Sequence, residues 1–191
     1  MRKKLRSQKG FTLIELIVAV GIMLILAAAA TPFLLSHIKD AKVSSFNEEL
    51  LNVKAAFDSY FAKNGGLISD SDGDGDFLDE MIDAGWISND PSRHNLTWTV
   101  KSHTDSGKVA YYIHITNEAD EGGYTYFGSI NGDVDEAVDG TGGEDDGRYQ
   151  YADVDTDSDS NNDTIRACYL LQADGGMSSW HPDGATDGNG C

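Results

Sequence analysis

One stretch limits what this chain can fold into more than any other: an apolar run from Phe11 to Leu35 with a single charge, Glu15, and no Lys or Arg. About 20 apolar residues are enough for a helix to cross the hydrocarbon core of a bilayer, so the run predicts a membrane-spanning helix. A carboxylate at the centre of such a helix costs about 2.5–3.5 kcal/mol and generally marks function. The alternative is a plain signal anchor with a carboxylate near one edge. Residues 1–10 carry Arg2, Lys3, Lys4, Arg6 and Lys9 and no acid, which reads as the basic region of an export signal. In an ordinary secretory signal the processing site follows the apolar segment. Here the small residue, Gly10, precedes it. Cleavage between Gly10 and Phe11 would remove the basic leader, keep the apolar helix and create a new α-amino group four residues from Glu15.

The basic leader followed by Gly10-Phe11-Thr12-Leu13-Ile14-Glu15 resembles the N-terminus of the type IV pilins and the type II secretion pseudopilins. Gly10 matches the last leader residue of that family and Phe11 its first mature residue. Glu15 matches the glutamate at the fifth mature position, and Pro32 the proline at the twenty-second. The match is detailed over residues 1 to about 60 and one of layout beyond. The resemblance implies cleavage at Gly10–Phe11 and N-methylation of Phe11 by a prepilin peptidase. It also implies a single-pass stay in a bacterial inner membrane with the head outside the cytoplasm. Self-assembly into a helical filament, at the cell surface or in the periplasm, would follow, with related minor pilins or pseudopilins as partners. Glu15 is then the assembly residue, because a buried carboxylate wants a buried cation and the Phe11 amine of an adjacent subunit is the nearest one. A type IV pilus-like filament subunit is the first expectation and a type II secretion pseudopilin the alternative. A membrane-tethered calcium-binding module, which would keep its leader, is the reading from another class.

The expected fold is α+β: a long N-terminal helix, membrane-spanning in its first half and amphipathic in its second, packed on a small antiparallel sheet with a disulfide-closed C-terminal region. The expected divisions are a cleaved leader at 1–10, a transmembrane or filament-core helix at 11–35 and a globular head at 36–191. Within the helix, Pro32 removes a hydrogen bond to Ala28 and Gly21 costs about 1 kcal/mol relative to Ala, so a kink or local melting is expected between them. In the half-helix 36–64, Phe46, Leu50, Val53, Phe57 and Tyr60 or Phe61 recur at helical spacing and form one stripe. Asn64-Gly65-Gly66 is a stop signal. The strand candidates of a sheet at 96–130 are Leu96–Ser102, Val109–Thr116 and Tyr124–Ile130, in meander order. A short helix over Phe77–Ile82 closed by Gly85 precedes them. Residues 131–163 read as an acidic loop, and the C-terminal region 164–191 opens with a further strand, Ile165–Leu171, with Trp180 as a later packing anchor.

Charge narrows the partners. After Gly65 the chain holds 27 Asp and Glu against 5 Lys and Arg, and loss of the five leader positives takes the formal charge from -18 to -23. A head this acidic does not suit nucleic-acid phosphates, which need Lys and Arg. It suits solvation, cation binding or high ionic strength. In the loop 70–80, Asp70, Asp72, Asp74 and Gly75 fit positions 1, 3, 5 and 6 of an EF-hand-type calcium loop, with Asp76 offering its carbonyl at position 7. Position 12 is Met81, so a shifted carboxylate, Asp79 or Glu80, would have to close a structural Ca²⁺ site. A merely solvated acidic loop is the alternative. The spacing of Asp153, Asp155, Asp157 and Asp159 hints at a second ion loop without the turn glycine. Cys168 and Cys191 are the only cysteines, and in an exported chain an even pair reads as a disulfide, worth roughly 3 kcal/mol for a loop of this length. Two unpaired thiols are the alternative. No enzyme is expected: His37, His94, His103, His114 and His181 show no metal-ligand spacing, and no nucleophile elbow or phosphate-binding glycine loop is present.

Overall fold

The computed structural model describes residues 10–64, 73–88, 90–92, 95–105, 107–117, 121–140, 147–154 and 164–173. The chain divides into two units, residues up to Ala41 and residues from Lys42 onward. Helix α1, Leu13–Lys63, contributes to both.

In the first unit the apolar side chains of α1 face outward. Phe11 is 90 % exposed and Leu13 76 %, and no residue of the most apolar stretch is buried. Length and composition suit a membrane span. The expected local melting between Gly21 and Pro32 is absent, since α1 is helical without interruption through both. Pro32 still leaves the Ala28 carbonyl without its usual N–H. One residue earlier, the Thr31 hydroxyl donates to the Ala27 carbonyl at 2.8 Å.

The second unit is built on a four-stranded antiparallel sheet. Strands β1 (Leu96–Asp105) and β2 (Lys108–Asn117) form a hairpin. Strand β4 (Thr164–Ala173) pairs with β2 on one side and with β3 (Tyr149–Val154) on the other, giving the order β1-β2-β4-β3. Alternation along the strands sends Trp98, Val100, Ile113, Ile115, Ile165, Ala167 and Leu171 into one core. The stripe of α1 enters the same core, with Phe46, Leu50, Val53 and Phe57 all at most 2 % exposed. Burial of each such side chain contributes about 1.5–3 kcal/mol. Phe46 is a hub, its ring centroid 5.1 Å from that of Trp98 and 5.6 Å from that of Phe127. Helix α2, Leu78–Asp83, adds Leu78 and Met81 to the core. Gly85 follows it at φ +75, a left-handed conformation that closes the turn.

Two expectations are corrected. Tyr124–Ile130 is not a third meander strand; helix α3, Glu121–Gly128, occupies it. The aromatic and β-branched composition favours a strand, but the buried positions Phe127, Ile130 and Val134 recur at three- and four-residue spacing, a helical period. The segment 131–163 is not a loop throughout. It opens with helix α4, Asn131–Asp139, and contains the edge strand β3. Residue Gly123 fixes where α3 sits: a Cβ there would lie 2.7 Å from the Asn95 carbonyl oxygen and 2.9 Å from Asn117 Cβ, so only glycine allows the approach.

Candidate functional site

The N-terminal candidates meet at the start of α1. Thr12 precedes the first helical residue, and Glu15 lies three residues on. The Thr12 backbone N–H donates to Glu15 Oε2 at 2.9 Å and the Thr12 hydroxyl donates to the same oxygen at 2.8 Å. In return the Glu15 N–H donates to Thr12 Oγ1 at 3.4 Å. This is a reciprocal capping box, which satisfies donors that a helix start otherwise leaves orphaned. All three contacts involve Thr12, and the two that use the Glu15 carboxylate both end on Oε2, so Oε1 remains available to a second partner. Gly10 and Phe11 precede the helix and are exposed, an accessible backbone at the expected cleavage point. Thr12 was not singled out from the sequence, although the pattern Thr-x-x-Glu before an apolar run is the readable sign of such a box.

The acidic loop is described from Gly73; Asp70 and Asp72 lie outside the described residues. Gly73 and Gly75 take φ of +85 and +84, the left-handed backbone that the sharp turn of a calcium loop needs at its glycine. Asp74 Oδ1 accepts from the Asp76 N–H at 2.8 Å. Asp76 Oδ1 accepts from the Leu78 N–H at 2.9 Å and from the Val100 N–H at 2.8 Å. Asp79 Oδ1 accepts from the Glu80 N–H at 2.7 Å. In Asp76 and Asp79 these bonds use one carboxylate oxygen. Among the described residues no three His, Cys, Asp or Glu side chains gather at a metal-sized spacing. Of the second acidic run, Asp153 falls in β3, while Asp155, Asp157 and Asp159 lie outside the described residues.

Asp76 has a role that spacing did not reveal. β1 is an edge strand, and Val100 is clamped on its open side: its N–H goes to the Asp76 carboxylate and its carbonyl accepts from the Phe77 N–H at 2.7 Å. The opposite edge, β3, is treated likewise, with Asp139 Oδ2 accepting from the Arg148 N–H at 2.8 Å and the Tyr149 N–H at 2.7 Å. Bare edge N–H groups are templates for aggregation, and these carboxylates cover them. Burial pushes the Asp76 carboxyl up, the Leu78 and Val100 N–H groups pull it down, and repulsion from Asp79 and Asp74 adds to the rise. Asp76→Ala leaves two partly buried donors without their acceptor, at roughly 1–3 kcal/mol for each donor left unsatisfied. Thermal unfolding of the full chain in detergent is expected to show a lower midpoint, and Asp76→Asn, which keeps the acceptor oxygen, a smaller drop. An Asp76→Ala midpoint equal to wild type would remove the carboxylate from this role.

Cys168 is fully buried on β4; Cys191 and Trp180 lie outside the described residues. His114, on the face of β2 away from the core, is mostly buried and is pushed down to about 4, by burial first and then by the Lys101 and Arg166 charges.

The helix start is where this chain meets known proteins. Residues 5–31 match the family described as the prokaryotic N-terminal methylation motif. The chain has a type IV pilin-like N-terminus. Over 59 residues it is 42% identical to a fimbrial protein, EcpB, of Eikenella corrodens, which is 31% of this chain and 37% of that protein. The chain therefore spans well under half the length of the curated relative it matches. No solved structure matches. Pilin-like proteins are structural subunits, not enzymes, and a methylation motif on an apolar helix is consistent with passage from an inner membrane to an extracellular filament.

Proposed function

We propose that this chain is a structural subunit of an extracytoplasmic type IV pilus-like filament, assembled through its N-terminal helix after cleavage at Gly10–Phe11 and N-methylation of Phe11. One observation carries the reading: a carboxylate, Glu15, is held in the first turn of α1, at the start of an otherwise apolar stretch whose side chains face outward, with one oxygen left for a partner. A neighbouring subunit's Phe11 amine is the cation that fits it. The fimbrial relative favours a pilus over a secretion pseudopilus. Mass spectrometry of protein extracted from membranes and from sheared surface filaments tests the reading. The expected mature N-terminus is methylated Phe11, and non-reducing peptide maps should join Cys168 to Cys191. An intact Met1 would support a membrane tether instead.

The loop 70–80 is proposed to hold a structural Ca²⁺. Asp70, Asp72, Asp74 and Asp76 supply hard oxygens at the right spacing, and Asp79 or Glu80 supplies the closing carboxylate. The left-handed Gly75 supports this. Binding to the native state alone stabilises by about 2.7 kcal/mol at a hundredfold excess over Kd. The full chain in detergent should melt several degrees higher in Ca²⁺ than in chelator, and Asp72→Ala with Asp74→Ala should erase the difference. Superimposable wild-type curves would leave the loop a solvated turn.

A further inference from the structure

The edge strand β1 is covered along its first half and bare along its second. In an antiparallel pair, alternate residues bond the neighbouring strand and the others point their N–H and C=O away from it. Trp98 and Val100 point away from β2, and both are covered. The Trp98 N–H donates to Ser92 Oγ at 3.5 Å, and Val100 is held by Asp76 and Phe77. Ser102 and Thr104 continue the same outward series. Both are exposed, and among the described residues nothing outside the sheet bonds their backbone. Their N–H and C=O groups are placed to accept one more strand.

The side chains beside this stretch select the strand. Lys101 and His103 lie on the face of β1 away from the core, and neither has an ion pair among the described residues. A lysine on an edge ordinarily discourages pairing. In a head with 27 acids against 5 bases after Gly65 it favours acidic partners instead. A strand bonded to Ser102 and Thr104 sets its side chains directly opposite Lys101 and His103, where opposite charges are favourable. Asp105, next on that face, is in register with Lys108 of β2, which sets a base beside that acid. The fitting strand therefore carries an acid at every second residue.

Two stretches of the chain place acids at three or more successive alternate positions. In Asp70–Asp76, Gly73 and Gly75 take φ of +85 and +84, which is not extended backbone, and Asp76 already serves β1 of its own chain. The other, Asp153-Val154-Asp155-Thr156-Asp157-Ser158-Asp159, holds no glycine or proline and has β-branched residues between its first three acids. It cannot reach its own β1. Nine residues, 155–163, lead from Val154 back to Thr164, its partner in register. Such a loop reaches out about 17 Å at most before it must return. Ser102 stands three strands across the sheet and about seven residues along it, roughly 28 Å away. The occupant is therefore a second copy. Edge and segment are different patches of one chain, so the contact is heterologous and repeats without closing.

We propose that the Ser102–Thr104 edge of β1 takes the segment Asp153–Asp159 of a neighbouring copy as an added strand, with Lys101 and His103 facing its carboxylates. The pairing rests on the filament reading for its setting: bundled helices hold the heads at high effective concentration, so a short contact of modest affinity suffices.

The test uses the full chain dispersed in detergent micelles and a capped synthetic peptide of residues 153–160. Amide hydrogen exchange is read residue by residue by NMR. In the free subunit the Ser102 and Thr104 amides should exchange fast, and those of Lys101 and His103, bonded to β2, slowly. Saturating peptide should slow Ser102 and Thr104 by at least about tenfold and leave Lys101 and His103 unchanged. A peptide with every Asp replaced by Asn should not. Lys101→Gln, shown to be folded by its melting midpoint, should weaken the effect of the acidic peptide. The proposal is overturned if the two amides are already protected in the free subunit, or if the acidic peptide slows neither. It is also overturned if the Asn peptide protects them equally well, or if Lys101→Gln leaves the effect unchanged. No filament is needed, so failure here bears on the edge alone, whereas an intact Met1 would overturn the filament reading without touching the strand pairing.

Discussion

Glu15→Ala is expected to leave cleavage after Gly10 and membrane insertion intact, yet abolish filament assembly or lower it sharply. In a lone membrane helix a carboxylate near the interface can meet water or take a proton, and it does little. In a bundle of helices that excludes water, an unpaired carboxylate or ammonium costs several kcal/mol, and attraction between the two offsets much of it. The pair also fixes axial register, because a mismatched subunit leaves both charges bare. Four residues of helix place the chain's own Phe11 amine only about 6 Å from Glu15 along the axis, so the amine can partly serve its own carboxylate.

The capping box separates these contributions. Glu15→Gln keeps an acceptor for the Thr12 N–H and hydroxyl, both of which now reach Oε2, and loses only the charge. It should insert normally and still fail to assemble. Thr12→Val keeps the charge and loses the hydroxyl cap, typically worth about 1 kcal/mol, and should reduce assembly without abolishing it. The measurement is sheared surface filament beside the membrane-bound pool of mature protein. If Glu15→Ala protein assembles at wild-type levels, the carboxylate is not the register element and the tether gains.

The parts of this molecule that were legible in its sequence are those where one period or one motif dominates. The stripe of Phe46, Leu50, Val53 and Phe57 is unambiguous, and all four are core. Strands β1 and β2 extend slightly past their expected ends but carry the expected residues. Short segments misled. Tyr124-Thr125-Tyr126-Phe127 has strand composition, and its helical period becomes visible only when Ile130 and Val134 are included. The six-residue register of β3 with β4 could not be read either, because Tyr149-Gln150-Tyr151 is flanked by acids and glycines that suggest a loop; the burial of Tyr149 depends on Phe46 and Asn131, distant in sequence. At the candidate sites, spacing pointed to Asp76 as a calcium ligand through its carbonyl. Only the fold shows its side chain holding the edge of β1.

His114 is expected to make the head sensitive to mild acid. Its ring is neutral in the fold, pushed from an ordinary value of 6.5 to about 4 by burial and by Lys101 and Arg166. It stands across from Thr99 on β1 and Cys168 on β4, with neither able to stabilise an imidazolium as a carboxylate would. Between pH 6.5 and 4 the unfolded chain therefore binds a proton that the folded chain does not, so stability falls as pH falls through that window. A difference of this size amounts to about 3 kcal/mol once both limits are passed. Above pH 6.5 neither state is protonated at this residue and the contribution is flat. Other groups also titrate on the way down, among them the Asp76 carboxylate, so the wild-type curve alone does not isolate the imidazole. The difference between wild type and His114→Gln does. Denaturant unfolding of the full chain in detergent at pH 7.5 and 4.5 should show wild type losing about 2–3 kcal/mol more than the variant. Lys101→Gln should recover part of that loss by removing one repelling charge. Parallel pH profiles for wild type and His114→Gln would mean that the ring accepts its proton in the folded head without penalty.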